Sequence, residues 1–218
     1  HVPYAPGSPF SPETGWDAAS ARQTGPHPND EKHGSMHLWE QWNRRDWSTY
    51  REHTPRFVAE FGWQAPPAWT TLLDSVDDAP LTPESPGMIV HQKATDGNLK
   101  LTNGLLPHFR VPADMETWHW AMQLNQALAV GAALDHFRSC APHTMGAIVW
   151  QLNDCWPVTS WAAIDGAERV KPLFHALKNA FAPRVVTVQP RDGRLVAVLG
   201  NDTDETWTVS LRTRRVAF

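Results

Sequence analysis

One carboxylate, Glu60, has the setting of a catalytic group. It closes a short apolar run inside the segment RFVAEFGWQAPP, residues 56–67. Such a run is typical of a buried strand, and many α/β enzymes carry catalytic side chains at the carboxyl ends of their strands. The rings of Phe61 and Trp63 can shield the carboxylate from water, and Gly62 permits a tight exit from the strand. We therefore predict a functional role for Glu60; the alternative is a solvated strand end.

A second segment, TMGAIVWQLND at residues 144–154, ends in groups that suit a sugar ligand. Its near-continuous apolar part predicts a strand that is buried on both faces. Trp150 then offers a flat ring for the C–H face of a sugar, and Asn153 and Asp154 offer hydrogen bonds to hydroxyl groups. We predict that these three residues bind substrate. The alternative is a core tryptophan beside a turn.

Two more residues are expected to join this site. His37 and Trp39 are separated by one residue in a short apolar segment, so on a strand their side chains share one face. Pointing toward the carboxyl ends of the strands, they would meet Glu60 and Trp150. A metal site is not predicted, because His33, four residues before His37, lies in a loop with Gly and Asp, and no third ligand is evident.

Composition excludes several classes of function. The chain has 218 residues, 41% of them hydrophobic, with a formal net charge of −4, so neither nucleic acid nor membrane is predicted as a partner. No apolar run approaches the roughly 20 residues of a membrane span. Motifs for a serine triad, a P-loop and a dinucleotide-binding loop are absent from the sequence. Two cysteines form no disulfide framework. The compartment stays open, with the cytoplasm slightly favoured because no signal peptide is evident.

Twelve tryptophans are more than core packing usually requires. Because an indole N–H needs a hydrogen-bond partner when it is buried, a surplus of Trp is often associated with platforms that face a ligand. An aromatic-rich core is the other interpretation. Composition alone leaves both open.

Residues 1–181 alternate strand and helix patterns, which predicts the C-terminal half of a (β/α)8 barrel. The predicted strands are 2–6, 36–39, 56–61 and 146–151. The predicted helices are 43–56, 67–76, 114–138 and 167–181, and most of 66–112 is expected to be irregular. The helix at 114–138 has a capping residue, Asp114, and one buried stripe, formed by Met122, Ala129, Ala133 and Phe137.

Residues 182–218 have a different pattern. Three segments alternate apolar and polar residues between turn signals: 184–190, 193–202 and 206–218. This pattern predicts the first strands of an immunoglobulin-like β-sandwich. Half a barrel and three strands would leave unpaired sheet edges, so we expect the natural protein to extend upstream of His1.

The two motifs together resemble those of β-mannosidases of glycoside hydrolase family 2. The similarity rests on RFVAEFGWQAPP, on TMGAIVWQLNDCWPVTSWAAID and on the following KPLFHALKNAFAPRVV. It implies a five-domain protein with a central (β/α)8 barrel flanked by immunoglobulin-like sandwiches. It also implies that Glu60 is the nucleophile of a retaining mechanism, that Trp150 lines the mannose subsite, and that His37 and Trp39 form the pocket rim. The implied substrate is a mannooligosaccharide or glycan, and no cofactor is implied.

The chain also departs from the family pattern. The family's acid/base is the Glu of an Asn-Glu pair, which does not occur in residues 1–218, so the resemblance implies that the rest of the parent chain supplies it and that this fragment alone is inactive. A pocket tyrosine of relatives has no clear counterpart here, since only Tyr4 and Tyr50 are present. The alternatives are another family 2 exo-glycosidase, such as an exo-β-glucosaminidase, and a non-catalytic carbohydrate-binding fragment.

Overall fold

A computed structural model describes residues 4–214 and 216 of the chain as a mixed α/β structure. The strands are β1 (Gly15–Asp17), β2 (Arg22–Thr24), β3 (Met36–Leu38), β4 (Val58–Phe61), β5 (Ala147–Val149), β6 (Arg184–Arg191) and β7 (Arg194–Asn201). The helices are α1 (Glu40–Asn43), a 3-10 helix (Trp47–Glu52), α2 (Trp69–Leu73), α3 (Pro86–Val90), α4 (Gly97–Leu105), α5 (Met115–Ser139) and α6 (Pro172–Ala180).

The site is built on a parallel sheet of three strands in the order β3–β4–β5. These strands confirm three of the four that the sequence predicts. The fourth prediction, residues 2–6, is not confirmed: Val2 and Pro3 lie outside the described residues, and residues 4–6 are in no strand. Instead, Phe10 forms an isolated antiparallel bridge with Ser35, just before β3.

Helix α5 covers the sheet and carries much of the core. Its predicted cap is confirmed, since Asp114 Oδ1 accepts a hydrogen bond from the backbone N–H of Thr117 at 2.8 Å. The predicted stripe is also buried, as Met122, Ala129, Ala133 and Phe137 all belong to the core. The helix packs against α6 and the 3-10 helix, and it connects β4 to β5 as a parallel pair requires.

Other helix predictions need correction. Residues 66–112 contain α3 and α4 as well as the predicted α2, and Met88, Leu101 and Leu105 of these helices are almost fully buried. These helices are short, and too few apolar positions repeat within them to give a visible period. Helix α6 begins only at Pro172, which suits a first helical position, and not at residue 167.

The C-terminal region is a β-hairpin. Strands β6 and β7 pair in a continuous antiparallel register from Arg184↔Asn201 to Arg191↔Arg194. The predicted third strand at 206–218 is wrong for the described part, because residues 206–214 and 216 form no strand. Alternation gives a strand a face to bury, but the strand still needs a neighbour that accepts its backbone hydrogen bonds.

Within the described residues, no helix has the length and apolarity needed to cross a membrane.

Candidate functional site

Glu60 lies at the centre of a small group of ring donors. It is on β4 with its side chain 31% exposed, and its register partner on β3 is His37. The indole N–H of Trp39 donates to Glu60 Oε2 at 3.1 Å, and His37 Nδ1 lies 3.4 Å from the same oxygen. The structure thus brings together the three residues that the sequence analysis expected to meet on one face.

The His37 ring is held from both sides. On the other side of the ring, Nε2 lies 2.7 Å from the Ser8 hydroxyl, within hydrogen-bond distance, and the tautomer of the ring sets which of the two atoms donates. The Asn29 side chain fixes the backbone of His37, because its amide nitrogen donates to His37 O at 3.0 Å and its oxygen accepts from His37 N at 2.6 Å. Neither Ser8 nor Asn29 was found from the sequence, since both lie in loop segments with no strand or helix period.

A chain of tryptophan rings stands behind the carboxylate. Trp39 contacts Trp161 edge to face, Trp161 contacts Trp42, and Trp42 contacts Trp63, with centroid separations of 6.0, 6.0 and 5.6 Å. Trp42 and Trp63 are buried, whereas Trp39 and Trp161 are partly exposed. The aromatic-core interpretation thus applies to Trp42 and Trp63, whereas a ligand-facing role for the partly exposed rings stays a prediction.

Trp150 follows β5 and presents an open ring. The residue is 44% exposed, while its backbone N–H donates to Phe61 O at 2.8 Å. The peptide bond from Trp150 to Gln151 is cis. A Cβ at Gly62 would lie 2.1 Å from the carbonyl oxygen of Trp150, so only glycine fits there. The glycine therefore serves the close approach of two chain segments, which adds to its predicted role in the turn.

The two polar residues after Trp150 differ. Asn153 is exposed, and its side chain donates to the Asp154 carbonyl at 3.3 Å. Asp154 has a side chain that is only 1% exposed, and its carboxylate accepts from Lys93 Nζ at 3.0 Å, from Gln151 Nε2 at 3.2 Å and from the Ser160 hydroxyl. In this conformation the Asp154 carboxylate faces inward and braces the loop. This geometry differs from the direct sugar contact that the sequence predicted for it.

Asp165 is a second buried carboxylate that sequence reasoning missed. It accepts from Thr71 Oγ1 at 2.6 Å, and three backbone N–H groups, those of Ala68, Ala167 and Arg169, donate to it at 2.9–3.0 Å. Burial by itself would raise the pKa of Asp165, but these hydrogen bonds hold the pKa below its ordinary value. Asp165 therefore ties the loop after β5 to helix α2.

Tyr50 is buried and does not touch Glu60. Its hydroxyl lies 3.4 Å from the carbonyl oxygen of Gly62, to which it donates, and burial raises the pKa of this phenol well above its usual range. Tyr50 thus supports the chain that leaves β4. In the described residues, Trp39 is the side chain that donates a hydrogen bond to the Glu60 carboxylate, and His37 lies within ion-pair distance of it.

Similar sequences come from fungal β-mannosidases. The chain is 31% identical over 186 residues to "Beta-mannosidase B" of Aspergillus flavus, which covers 83% of this chain and 22% of the relative. It is 30% identical over 205 residues to the protein of the same name from Thermothelomyces thermophilus, covering 86% and 23%. The chain thus spans about a fifth of the length of these relatives. No protein-family model matches it.

Two solved structures share the fold. A crystal structure of β-D-mannosidase from Dictyoglomus thermophilum superposes with a TM-score of 0.79 at 36% identity, covering 82% of this chain and 22% of the other. The exo-β-D-glucosaminidase CsxA superposes with a TM-score of 0.53 at 22% identity over 65% of this chain, a likeness of fold alone. The similarity to β-mannosidases that the motifs indicate is confirmed.

Proposed function

We propose that this chain, a homologue of the β-mannosidases over most of its length, carries the nucleophile side of a retaining exo-glycosidase site. The whole protein would release terminal non-reducing β-D-mannose from mannooligosaccharides or glycans. The identity of about 31% to fungal β-mannosidases supports the enzyme class. The geometry around Glu60 supports the position of the site.

One observation carries the mechanism: the two oxygens of Glu60 differ. Oε2 accepts a hydrogen bond from the Trp39 indole and lies 3.4 Å from His37 Nδ1, whereas Oε1 accepts no hydrogen bond from the described residues. The free oxygen is the one that would attack the anomeric carbon. Its new C–O bond would form as the glycosidic C–O bond breaks, and the leaving oxygen would take a proton from an acid. Water would then cleave the glycosyl ester with the same acid acting as base.

The acid/base has to be a second carboxyl group about 5–5.5 Å from the nucleophile. The family resemblance assigns it to an Asn-Glu pair that residues 1–218 do not contain. We therefore propose that residues outside this chain supply it, and that residues 1–218 alone do not turn over β-mannosides. General acid catalysis contributes about 10²–10⁴-fold, so its loss would leave little activity.

We assign the proposed substrate contacts to side chains that are accessible in the structure. The open ring of Trp150 would lie under the mannose, with Asn153 at its side and with His37 and Trp39 at the rim. Asp154 would not touch the sugar but would hold the loop after β5 in place, because its carboxylate is hydrogen-bonded to Lys93 and Ser160.

We also propose an architecture for the parent protein. Strands β3, β4 and β5 would be the sixth, seventh and eighth strands of a (β/α)8 barrel within residues 1–181. Their parallel order and the helix between β4 and β5 support this. Residues 182–218 would begin an immunoglobulin-like sandwich, which the antiparallel β6–β7 pair supports.

The test is covalent labelling in the full-length protein. A 2-deoxy-2-fluoro β-mannosyl fluoride should form a stable ester on Glu60, detectable by peptide mass spectrometry, and Glu60→Gln should abolish both labelling and turnover of p-nitrophenyl β-mannoside. Label on another carboxylate would overturn the assignment of the nucleophile. Full turnover of a glucosaminide with none of the mannoside would overturn the substrate.

A further inference from the structure

A two-way hydrogen-bonded junction joins the chain that leaves β4 to the chain that leaves β5. The backbone N–H of Ala65 donates to Ser160 O at 2.9 Å, and the N–H of Ser160 donates to Ala65 O at 3.1 Å. We call this pair the 65–160 junction. It lies five residues beyond Glu60 and ten beyond Trp150. A shift at this junction would therefore move the two proposed site residues relative to each other.

The side chain of Lys171 ends on this junction. Lys171 is the residue before α6, and it is 1% exposed. Its Nζ donates to Ala65 O at 3.1 Å and lies 3.5 Å from Ser160 O, so one amino group reaches both carbonyls of the junction. Its own backbone N–H donates to Ala163 O at 2.9 Å, which holds the lysine to the loop after β5.

The charges that face Lys171 come from three parts of the chain. Asp154 and Asp165, both on the loop after β5, attract its ammonium group, and His119 of α5 lies close enough to interact with it. Lys93 is the direct partner of Asp154. Burial lowers the pKa of Lys171 to about 7 against the attraction of the two carboxylates. A buried lysine costs stability that an apolar side chain of the same size would not cost.

We propose that Lys171 is a positioning residue: it holds the 65–160 junction and thereby sets the spacing between Glu60 and Trp150. The importance of this spacing for catalysis rests on the proposed glycosidase function. The stabilisation of the junction by Lys171 does not depend on that function. Gln126 of α5 supports the same place, since its side-chain nitrogen donates to Trp63 O at 2.7 Å and lies 3.4 Å from Ser160 O. Only Lys171 contacts both carbonyls of the junction among the described residues.

The experiment compares Lys171→Met with Lys178→Met in the full-length protein. Methionine keeps the length of the side chain and removes the donor, and Lys178 is an exposed lysine on α6, the helix that Lys171 precedes. Hydrogen exchange is measured by mass spectrometry on peptides that cover 63–66, 158–162 and α5. We expect exchange in the first two to be at least tenfold faster in Lys171→Met, with no change in α5 and no change anywhere in Lys178→Met.

Steady-state kinetics test whether the junction affects substrate binding and turnover. For p-nitrophenyl β-mannoside, we expect Lys171→Met to lower kcat/KM at least tenfold at a temperature where the protein is fully folded, with a raised KM. Unchanged exchange at the junction, or faster exchange throughout the protein, would overturn the proposal. Faster exchange at the junction with normal kcat and KM would also overturn it.

Two further measurements cover the remaining cases. If Lys171→Met does not fold, Lys171→Gln takes its place, because its shorter side chain keeps an amide donor in the buried site but does not reach as far as lysine; the junction peptides should again exchange faster while α5 does not, and junction exchange equal to that of the wild type overturns the proposal. If the wild type does not hydrolyse β-mannosides, the proposed function fails, and the exchange data alone decide whether Lys171 holds the junction.

Discussion

Glu60 lies on an apolar strand, Asp154 follows the next one, and both are close to tryptophans in the sequence, yet their surroundings are opposite. The Glu60 side chain is 31% exposed; one of its oxygens accepts from the Trp39 indole and lies near the His37 ring, and the other has no donor among the described residues. The Asp154 side chain is 1% exposed and has both oxygens occupied, one of them by Lys93. A carboxylate that reacts needs an accessible oxygen, whereas a carboxylate that braces a loop needs partners for all its lone pairs.

The difference shows that an acid at a strand end has no role until its partners are known. Lys93, from a distant segment, pairs with one oxygen of Asp154, and Ser160, six residues after it, donates to the other. Trp39 and His37 approach one oxygen of Glu60 and leave the other without a hydrogen-bond donor among the described residues. Burial and partners, more than residue type, separate the two regions. Four predictions test this comparison.

The largest contrast should come from neutralising each acid. Asp154→Asn is expected to lower the free energy of unfolding by about 3 kcal/mol, because charged hydrogen bonds are lost and a buried donor is left facing Lys93. Glu60→Gln should change it by less than about 0.5 kcal/mol, since this side chain is partly exposed. Urea denaturation of both variants measures the pair. Equal losses would mean that Glu60 also braces the fold.

Trp150→Ala should affect binding more than folding. We expect a loss of about 2 kcal/mol in transition-state binding of a β-mannoside, or roughly 30-fold in kcat/KM, because the open ring would lie against the sugar. Stability should change little, given 44% exposure. The control is Trp120→Ala on α5, where the residue is 62% exposed and is not among the proposed site residues. A Trp150 variant that unfolds readily but keeps normal kinetics would mark a core residue.

Gly62→Ala should disturb both the chain that follows Glu60 and the chain at Trp150. The new methyl group would meet the carbonyl of Trp150, which is backbone and can yield only if the segment moves. We expect a destabilisation of about 1–3 kcal/mol and weaker binding at Trp150. Gly131→Ala in α5 is the matched control, since its Cβ would have only Ala176 at 4.0 Å, and it should be neutral or stabilising. Similar behaviour of the two variants would refute the close-approach argument.

The smallest effect is a pH dependence at Asp165. Its pKa is lowered in the folded protein, so its contribution to stability is present above the unfolded value of 3.8 and is lost as pH falls through the folded value. The stability difference between wild type and Asp165→Asn should therefore be constant near neutral pH and shrink below about pH 4. Thermal unfolding between pH 3 and 7 measures it. A difference that grows on acidification would contradict the assigned hydrogen bonds.

Much of the local structure was visible in the sequence. The apolar run before Glu60 and the run before Trp150 both form strands, and Asp114 caps the helix that joins them. The spacing of His37 and Trp39 on a strand was enough to predict that they share the face of Glu60. These features depend on residues close together in the chain, so their periods and caps can be read without knowing the fold.

Other features depend on contacts between distant segments. Asp154 was predicted to bind sugar because its partner Lys93 lies sixty-one residues away and no local pattern points to it. Short helices α3 and α4 form because Met88, Leu101 and Leu105 find a core to enter. A third C-terminal strand does not form in the described residues despite its alternation, since pairing needs a neighbouring strand.

By itself, the sequence determined where the strands of the site lie, which acid on those strands faces His37 and Trp39, and which family its motifs resemble. Only the tertiary structure decided that Asp154 is saturated, that Gly62 makes room for the Trp150 carbonyl, and that Lys171 reaches the 65–160 junction. The reason is physical: a propensity acts on neighbours in the chain, whereas burial and hydrogen-bond satisfaction depend on which distant atoms fill the space around each group.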